Sequence, residues 1–278
     1  AALARERGVD FVLAVGGGSV IDCCKVICAQ AVLEEDIWKM EYERGAFPAA
    51  GLPMGAVGAV VTASGTGAEM NSGAVITCGQ ALEGAHRRDG ASFAILDPAY
   101  TATVPRMQVL SGAFDTLSHA METYLGASDA DNVSDDVALA IQRNTVTNMR
   151  RLLENIDDMQ ARGNLMWDSA MAENGILKVG RKTDFQAHQM EHQLGAYTDC
   201  NHGQGLAVLH PAYYRRICGP EKQKFARFAT RVWGIPAGGK SEEELAHAGV
   251  EALAGFIQEL GLPTTLRQLG LADAKMLP

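Results

Sequence analysis

The spacing of hydrophobic residues divides the chain into a first part typical of an α/β sheet and a second part typical of helices. Short apolar runs predict buried strands at Phe11–Val15, Leu52–Thr62 and Phe93–Leu96, and a helical period follows the first run over residues 20–33. Beyond Pro105 the pattern predicts only helices, separated by turn residues, over 107–125, 134–153, 162–178, 183–195, 204–217, 221–233 and 241–260. We therefore predict an α/β domain at 1–104 and an all-helical domain at 105–278.

Two loops of small residues follow the first two predicted strands. The first loop consists of Gly16, Gly17, Gly18 and Ser19. It opens a helix, so the N–H groups of the helix N-terminus can face a phosphate. The second loop offers hydroxyl groups and a glycine at Thr62, Ser64, Gly65 and Thr66. Tight or polar turns without a ligand would explain either loop alone, and the Gly-x-Gly-x-x-Gly fingerprint is absent. Together the two loops favour a Rossmann-like nucleotide crevice.

The first predicted helix of the second part carries a carboxylate and an imidazole four residues apart. An apolar stripe buries this helix, while Asp115 and His119 point together to another side. His188 and His192 repeat the same spacing on a later helix, and His202 stands just before a glycine. One carboxylate and three imidazoles suit a divalent first-row metal with an open position.

The same residues also fit simpler interpretations. A His-x-x-x-His pair is often structural or lies on the surface, and Asp-x-x-x-His occurs in many helices. Cys200 is a rival ligand to His202. Glu122, on the same helix as Asp115, is expected in a supporting position or at the surface rather than in catalysis.

Composition narrows the class of protein. The chain has 278 residues, 47% of them hydrophobic, which suffices for a large core or for two domains. A net charge of -9 argues against nucleic acid or an anionic membrane as partner. No apolar run reaches the ~18 residues of a membrane span. The 6 cysteines show no framework spacing, so we expect reduced thiols and a cytoplasmic location.

Several segments, in order along nearly the whole chain, carry a resemblance to a known family. They are Gly16-Gly-Gly-Ser-Val-Ile-Asp22 with Lys25, Thr62-Ala-Ser-Gly-Thr-Gly-Ala-Glu69, Ile95-Leu-Asp-Pro98, Gly112-Ala-Phe-Asp-Thr-Leu-Ser-His-Ala-Met-Glu122, and His188-x-x-x-His192-x-x-Gly195 with His202. The chain resembles the iron-containing, or group III, alcohol dehydrogenases. Trp38 and the residues after Glu69 look closest to the NADPH-dependent butanol dehydrogenase and aldehyde reductase branch.

The resemblance implies a Rossmann-like nucleotide-binding domain followed by a helical metal-binding domain, with the active site between them. It implies Fe²⁺ or Zn²⁺ held by Asp115, His119, His188 and His202. NADP or NAD would be held by the two loops and Asn71, with Asp22 and His192 near the nicotinamide as catalytic candidates. The implied reaction is metal-dependent hydride transfer between NAD(P)H and a small aldehyde or primary alcohol. A homodimer is the expected assembly.

The chain departs from the family pattern at two places. The family has more residues before the glycine loop, so we expect an incomplete nucleotide domain in a protein truncated at both ends. Those residues normally help to read the adenosine ribose, so the choice between NAD and NADP stays open. The family often has a nucleotide-contacting lysine between the second loop (residues 62–66, called the threonine loop below) and the turn at Asp97-Pro98. This chain has only Arg87 and Arg88 there. Either an arginine substitutes, or the contact is absent.

Three other functions remain as alternatives. The first is a polyol (glycerol-type) dehydrogenase or a dehydroquinate-synthase-like relative, against which the three histidines argue. The second is a metal-dependent phosphohydrolase built on an Asp/His cluster, which leaves both nucleotide-type loops unexplained. The third is an inactive fragment that keeps the metal core.

Overall fold

The computed structural model describes residues 1–40, 55–78, 81–86, 90–126 and 132–271. The strands in these ranges are β1 (Phe11–Gly16), β2 (Ala56–Val61), β3 (Gly73–Cys78), β4 (Ala81–His86) and β5 (Phe93–Ile95). The α-helices are α1 (Ala2–Glu6), α2 (Gly18–Val32), α3 (Arg106–Tyr124), α4 (Val133–Glu154), α5 (Met159–Glu173), α6 (Gln186–Thr198), α7 (His202–Ile217), α8 (Lys222–Arg231) and α9 (Glu242–Glu259). Short 3₁₀ turns lie at Pro98–Thr101 and Ile176–Lys178.

Three strands form a parallel sheet in the order β1-β2-β5, so the short apolar runs do mark strands. The predicted burial holds for β2, whereas it is wrong for β1 and β5, which keep exposed side chains. Phe11 pairs with Ala56, and Gly58 pairs with Phe93. Strands β3 and β4 form a separate antiparallel hairpin that the hydrophobic pattern did not predict. The described strands therefore comprise a parallel sheet of the kind found in α/β folds and a separate hairpin.

The two faces of the parallel sheet differ. Helix α2 packs on one face, where Ala14 and Ile21 share a small core with Met166 of α5. On the opposite face, side chains of β1 and β5 remain exposed, and the rings of Phe11 and Phe93 stack with centroids 5.9 Å apart. Through Met166 the sheet is in direct contact with the helical part of the chain.

The helical part is built around α3. Nearly every residue of α3 from Leu110 to Tyr124 is buried, and α4, α5, α6 and α7 pack around it. Capping boxes explain where two helices begin: Asn132 caps α4 and Ser241 caps α9. A buried central helix of this kind holds its polar side chains at fixed positions.

The predicted helix boundaries beyond Pro105 lie within two residues of the structure except at α5 and α6. For α6 the pattern predicts 183–195, whereas the helix spans Gln186–Thr198. At α5 the difference is larger. The pattern predicts 162–178, whereas the helix spans Met159–Glu173. Asp158 caps its start by accepting a hydrogen bond from the N–H of Ala161, and Gly175, with a φ of 92°, follows its end. Strands precede residue 104 and α3 begins just after it, in the described part of the chain. A domain boundary at that residue stays a prediction.

Within the described residues, no helix combines the length and the apolar character needed to cross a bilayer.

Candidate active site

The four residues predicted as metal ligands come together at the carboxylate of Asp115. Its Oδ1 atom lies 3.3 Å from Nε2 of His119, 3.4 Å from Nε2 of His188 and 3.4 Å from Nε2 of His202. Helix α3 supplies Asp115 and His119 because residues four apart share a helix face. His188 comes from α6, and His202 is the first residue of α7. Three helices therefore direct their polar groups to one point.

The central atoms of this cluster lack ordinary partners. Asp115 and His188 are each 3% exposed. Among the described residues, neither Asp115 Oδ1 nor His188 Nε2 has a partner in hydrogen-bond geometry. Buried polar atoms without partners are costly, so such atoms call for a ligand between them. One carboxylate oxygen with imidazole nitrogens is a donor set that Fe²⁺ and Zn²⁺ accept, and the residues present fit a divalent metal.

The electrostatics of the cluster favour positive charge at its centre. Burial acts to raise the pKa of Asp115, but the charges of His119 and His202 and contacts with the imidazoles hold it well below its usual value. Burial acts to lower the pKa of His188, yet Asp115 and Glu122 raise it to about 9. Likewise, Asp115 and Glu191 overcome burial and raise the pKa of His202 to about 10. Carboxylates that stabilise imidazolium in this way also stabilise a bound cation.

Glu122 stands directly behind His188. It is fully buried, and its carboxylate accepts hydrogen bonds from Nδ1 of His188 and from the backbone N–H of Ala187, at 2.6 Å for the latter. A carboxylate that accepts the Nδ1–H proton fixes the ring orientation and leaves the lone pair of Nε2 available to a metal. Of the two positions expected for Glu122, the supporting one agrees with these contacts, and the surface one is wrong.

Two further glutamates lie behind the other imidazoles. Glu173 Oε1 is 3.1 Å from Nδ1 of His119, and Lys178 Nζ is 3.1 Å from Glu173 Oε2. The carboxylate of Glu191 contacts Nδ1 of His202. The hydrophobic pattern did not single out either glutamate. Glu191 carried a weak signal, because it follows a ligand histidine by three residues on one helix, whereas nothing local marks Glu173.

His192 lies beside the cluster. Its ring centroid is 6.2 Å from that of His188 and 5.6 Å from that of His202. Burial lowers its pKa to about 4, and the positive charges of His202 and His188 add to this. Glu191, His192 and His202 also offer donor atoms within 4.8 Å of one another, but Glu191 is already bonded to Nδ1 of His202. Cys200 Sγ lies 3.9 Å from Glu191 Oε1, and Glu191 contacts Nδ1 of His202, whereas Asp115 faces Nε2 of that ring.

Phe185 forms a wall of the cluster. It precedes α6 with a φ of 54°, a rare conformation for a bulky residue. Its ring centroid lies 5.9 Å from that of His119 and 5.2 Å from that of His188. Such strain persists only where the surroundings fix it, and here the packing against two imidazoles does so.

The glycine loop forms the turn from β1 to α2, as predicted. Gly17 is the N-cap of α2, and no side chain caps this helix. A Cβ atom added to Gly18 would lie 2.4 Å from Thr66 Oγ1, and one added to Gly17 would lie 3.3 Å from Ala63 Cβ. The two small-residue loops therefore lie side by side, with the Thr66 side chain next to the first residue of α2. A helix N-terminus that begins at glycines and has no side-chain cap fits a phosphate group.

The remaining loop residues extend this arrangement. Gly16 ends β1, and its carbonyl oxygen accepts a hydrogen bond from the N–H of Thr62 at 3.0 Å. Ser19 lies in the first turn of α2. Arg87 and Arg88, considered above as substitutes for a nucleotide-contacting lysine, lie outside the described residues.

The threonine loop is in contact with the helix that carries Asp115. Gly65, with a φ of 153°, lies so close to α3 that a Cβ atom there would be 2.8 Å from the carbonyl oxygen of Gly112. A Cβ atom on Gly112 would in turn be 2.4 Å from the carbonyl oxygen of Ser64. Thr116 Oγ1 donates a hydrogen bond to the Gly65 carbonyl oxygen at 3.3 Å. The loop and the Asp/His cluster therefore share one helix.

Asp22 and Asn71 belong to a network around a buried lysine. Lys25 is fully buried, and its Nζ atom donates to Asp22 Oδ1 at 3.2 Å, Asn71 Oδ1 at 3.2 Å and the Gly73 carbonyl oxygen at 2.7 Å. The side-chain amide of Asn71 donates to the Gly67 carbonyl oxygen at 3.1 Å. These bonds tie α2, the threonine loop and the β3–β4 hairpin together. Catalysis by Asp22 and cofactor contact by Asn71 stay predictions.

A parallel sheet with adjoining small-residue loops, followed by a helical part with an Asp/His cluster, is the architecture of a class of two-domain dehydrogenases. Residues 1–98 match the family described as iron-containing alcohol dehydrogenase, and residues 109–277 match the C-terminal part of the Fe-containing alcohol dehydrogenase family. The chain belongs to the iron-containing alcohol dehydrogenase family. Both the family and the fold class expected from the sequence are confirmed.

The chain is similar to proteins named for alcohol or aldehyde oxidoreduction. The chain is 37% identical over 278 residues to the NADH-dependent butanol dehydrogenase A of Clostridium acetobutylicum, covering 99% of this chain and 70% of that protein. It is 36% identical over 283 residues to the NADPH-dependent aldehyde reductase YqhD of Escherichia coli, covering 99% and 71%. The crystal structure of NADH-dependent butanol dehydrogenase A from Thermotoga maritima matches with a TM-score of 0.90 and 34% identity, over 97% of this chain and 67% of that one.

Proposed function

We propose that this protein transfers a hydride between NADH or NADPH and a small aldehyde or primary alcohol in a metal-dependent reaction. The convergence of three imidazole Nε2 atoms on Asp115 Oδ1 supports this most directly. The relatives described above are named for butanol oxidoreduction and for aldehyde reduction. Their names divide between NADH and NADPH, so both nucleotides remain candidates.

The helical part provides the proposed metal site. Asp115, His119, His188 and His202 would hold Fe²⁺ or Zn²⁺. When bound, such an ion supplies Lewis-acid polarisation of the substrate oxygen. Glu122 holds the His188 ring through Nδ1, so that Nε2 keeps its direction toward Asp115.

The α/β part provides the proposed nucleotide site. The backbone of Gly16, Gly17, Gly18 and Ser19 would receive the pyrophosphate at the N-terminus of α2. The hydroxyl groups of Thr62, Ser64 and Thr66 would bind near the phosphates, with Gly65 keeping the loop on α3. Asn71 and Asp22 would lie near the nicotinamide, which brings the hydride chemistry itself.

Metal removal and restoration test the proposed function. After chelation, we expect reduction of a panel of small aldehydes with NADPH and with NADH to fall by at least about 100-fold, because the carbonyl loses its electrophilic partner. Activity is expected to return on adding Fe²⁺ or Zn²⁺. Aldehyde reduction that persists undiminished in protein verified to be free of metal would contradict the proposal. Phosphate ester hydrolysis without a nicotinamide would favour the phosphohydrolase instead, and a preference for glycerol would favour the polyol dehydrogenase.

His192 is proposed to move a proton or to position the nicotinamide ring. Replacing His192 with alanine is expected to lower kcat by about 100-fold, the usual scale for loss of a general acid or base, and to leave the metal content unchanged. The checks are steady-state kinetics and elemental analysis. Partial rescue by added imidazole would indicate proton transfer rather than ring positioning. His247→Ala, which removes a histidine on α9, is the matched control and is expected to match wild type. Loss of metal from His192→Ala would contradict the assignment.

Three further inferences extend the proposal. We infer a nucleotide domain at 1–104 and a metal-binding domain at 105–278, since β5 ends at Ile95 and α3 begins at Arg106. We also infer a homodimer and a cytoplasmic location. Sedimentation analysis would measure the oligomeric state directly.

A further inference from the structure

His202 is the least enclosed of the three imidazoles in the cluster. Its side chain is 33% exposed, against 12% for His119 and 4% for His188. It is also the first residue of α7, directly after the N-cap Asn201. Packing alone therefore restrains this ring less than the other two, and its direction toward Asp115 depends on a specific contact.

Glu191 provides that contact. It lies on α6, is 1% exposed, and its Oε2 atom contacts Nδ1 of His202. The other ring nitrogen, Nε2, lies 3.4 Å from Asp115 Oδ1. A carboxylate that accepts the Nδ1–H proton selects the tautomer with a free lone pair on Nε2, and it holds the plane of the ring.

The carboxylate of Glu191 occupies space that a neighbouring residue leaves empty. A Cβ atom added to Gly205 of α7 would lie 2.7 Å from Glu191 Oε1 and 2.8 Å from its Cγ. One added to Gly195 would lie 3.3 Å from the same Oε1. Glycine is unfavourable inside a helix, so its presence at 205 calls for a reason in the surroundings. The side chain of Glu191 is that reason.

We propose that Glu191 is the positioning residue of His202, and that position 205 is glycine because Glu191 needs its space. This inference rests on the proposed function, in which His202 is a metal ligand. Helix α6 supplies the carboxylate, and α7 supplies both the imidazole and the gap. The three residues act as one unit. A side chain at position 205 would displace the carboxylate of Glu191, and without that carboxylate the ring of His202 would be free to rotate.

The affinity of the purified protein for Zn²⁺, measured by competition with a chelator, tests this unit. Glu191→Ala and Gly205→Ala are each expected to weaken binding by about 10- to 100-fold. Glu191→Gln is expected to lose less, because its amide oxygen still accepts the Nδ1–H proton. In the Glu191→Ala background, Gly205→Ala is expected to add no more than about 2-fold, because the displaced group is gone.

Gly255→Ala is the matched control for the glycine change. Gly255 lies inside α9, and nothing stands within 4 Å of an added Cβ atom. Alanine is the better helix former, so this variant is expected to be at least as stable as wild type, with unchanged affinity for Zn²⁺. A second readout is the Nδ1–H proton of His202 in the NMR spectrum of the Zn²⁺-loaded protein, which we expect to be retained in Glu191→Gln and lost in Glu191→Ala.

The outcomes separate this inference from the proposed function. Zn²⁺ affinity in Glu191→Ala within about 2-fold of wild type would overturn the inference and leave the proposed function standing. Full additivity of the two alanine substitutions would overturn the link between Gly205 and Glu191. A lower melting temperature with unchanged affinity would show a purely structural role and overturn the positioning role. Wild type that binds neither Zn²⁺ nor Fe²⁺ would overturn both proposals.

Discussion

Asp115→Asn is expected to release the bound metal and to lower kcat/KM for aldehyde reduction by roughly 1000-fold, equivalent to ~4 kcal/mol of transition-state stabilisation. Asparagine has nearly the same shape, so the change removes the negative charge at the centre of three imidazoles and little else. Those imidazoles would then face a neutral amide within 3.4 Å of their Nε2 atoms. Elemental analysis and steady-state kinetics on the same preparation measure both effects.

Asp168→Asn is the matched control for this change. Asp168 and Asp115 are each 3% exposed and both lie on helices of the same core. Asp168 accepts hydrogen bonds from Asn144 at 2.9 Å and from Thr145 at 3.0 Å, on the α4 side of α5. We expect this variant to keep its metal and its activity. Equal loss of metal and activity in both variants would mean that Asp115 matters only for the packing of the core. Full metal content in Asp115→Asn would refute its role as a ligand.

Gly17→Val is expected to weaken binding of NADPH and NADH by about 100-fold while metal content stays at the wild-type level. The valine side chain would project from the N-cap position of α2, where glycine lets a phosphate approach the backbone, and a displacement of about 1 Å is enough for a loss of this size. Gly17 suits the test better than Gly18, because a Cβ atom at Gly18 would strike Thr66 Oγ1 at 2.4 Å and shift the second loop. Fluorescence titration with each nucleotide gives the dissociation constants.

Gly238→Val controls for the general cost of a β-branched residue at a loop glycine. Gly238 is exposed, and no atom lies within 4 Å of an added Cβ atom there. Its nucleotide affinity is expected to match wild type. Melting temperatures of both variants show whether the fold is kept. An unchanged dissociation constant in a folded Gly17→Val protein would count against the glycine loop as the pyrophosphate site.

The helices were predictable because their signals are local. The apolar stripe of α3 and the capping residues of α4 and α9 stand within a few positions of the elements they define. The antiparallel hairpin of β3 and β4 has no such signal. Its position depends on Asp22 Oδ2, which accepts a hydrogen bond from the N–H of Val75 at 2.9 Å, a contact far apart in sequence.

In the candidate site too, local spacing predicted some residues, whereas others depend on contacts between distant parts of the chain. The two i,i+4 pairs brought Asp115, His119, His188 and His192 to notice, because helical spacing alone places each pair on one face. The ring of His192 lies beside those of His188 and His202, whereas His188 faces Asp115 Oδ1, and spacing alone does not tell these two histidines of α6 apart. The glutamate behind His119 comes from α5 and became visible only once three helices were packed together.

The backbone contact between Gly65 and Gly112 sets limits on redesign of this enzyme. No L-amino-acid side chain fits at either position while the threonine loop rests on α3. Libraries that aim to change nucleotide preference gain nothing by sampling these two residues, since most members would separate the nucleotide loop from the helix that carries Asp115. Thr62 and Ser64 are the positions open to variation, because changes there alter the chemistry offered to the nucleotide and keep the loop on its supporting helix.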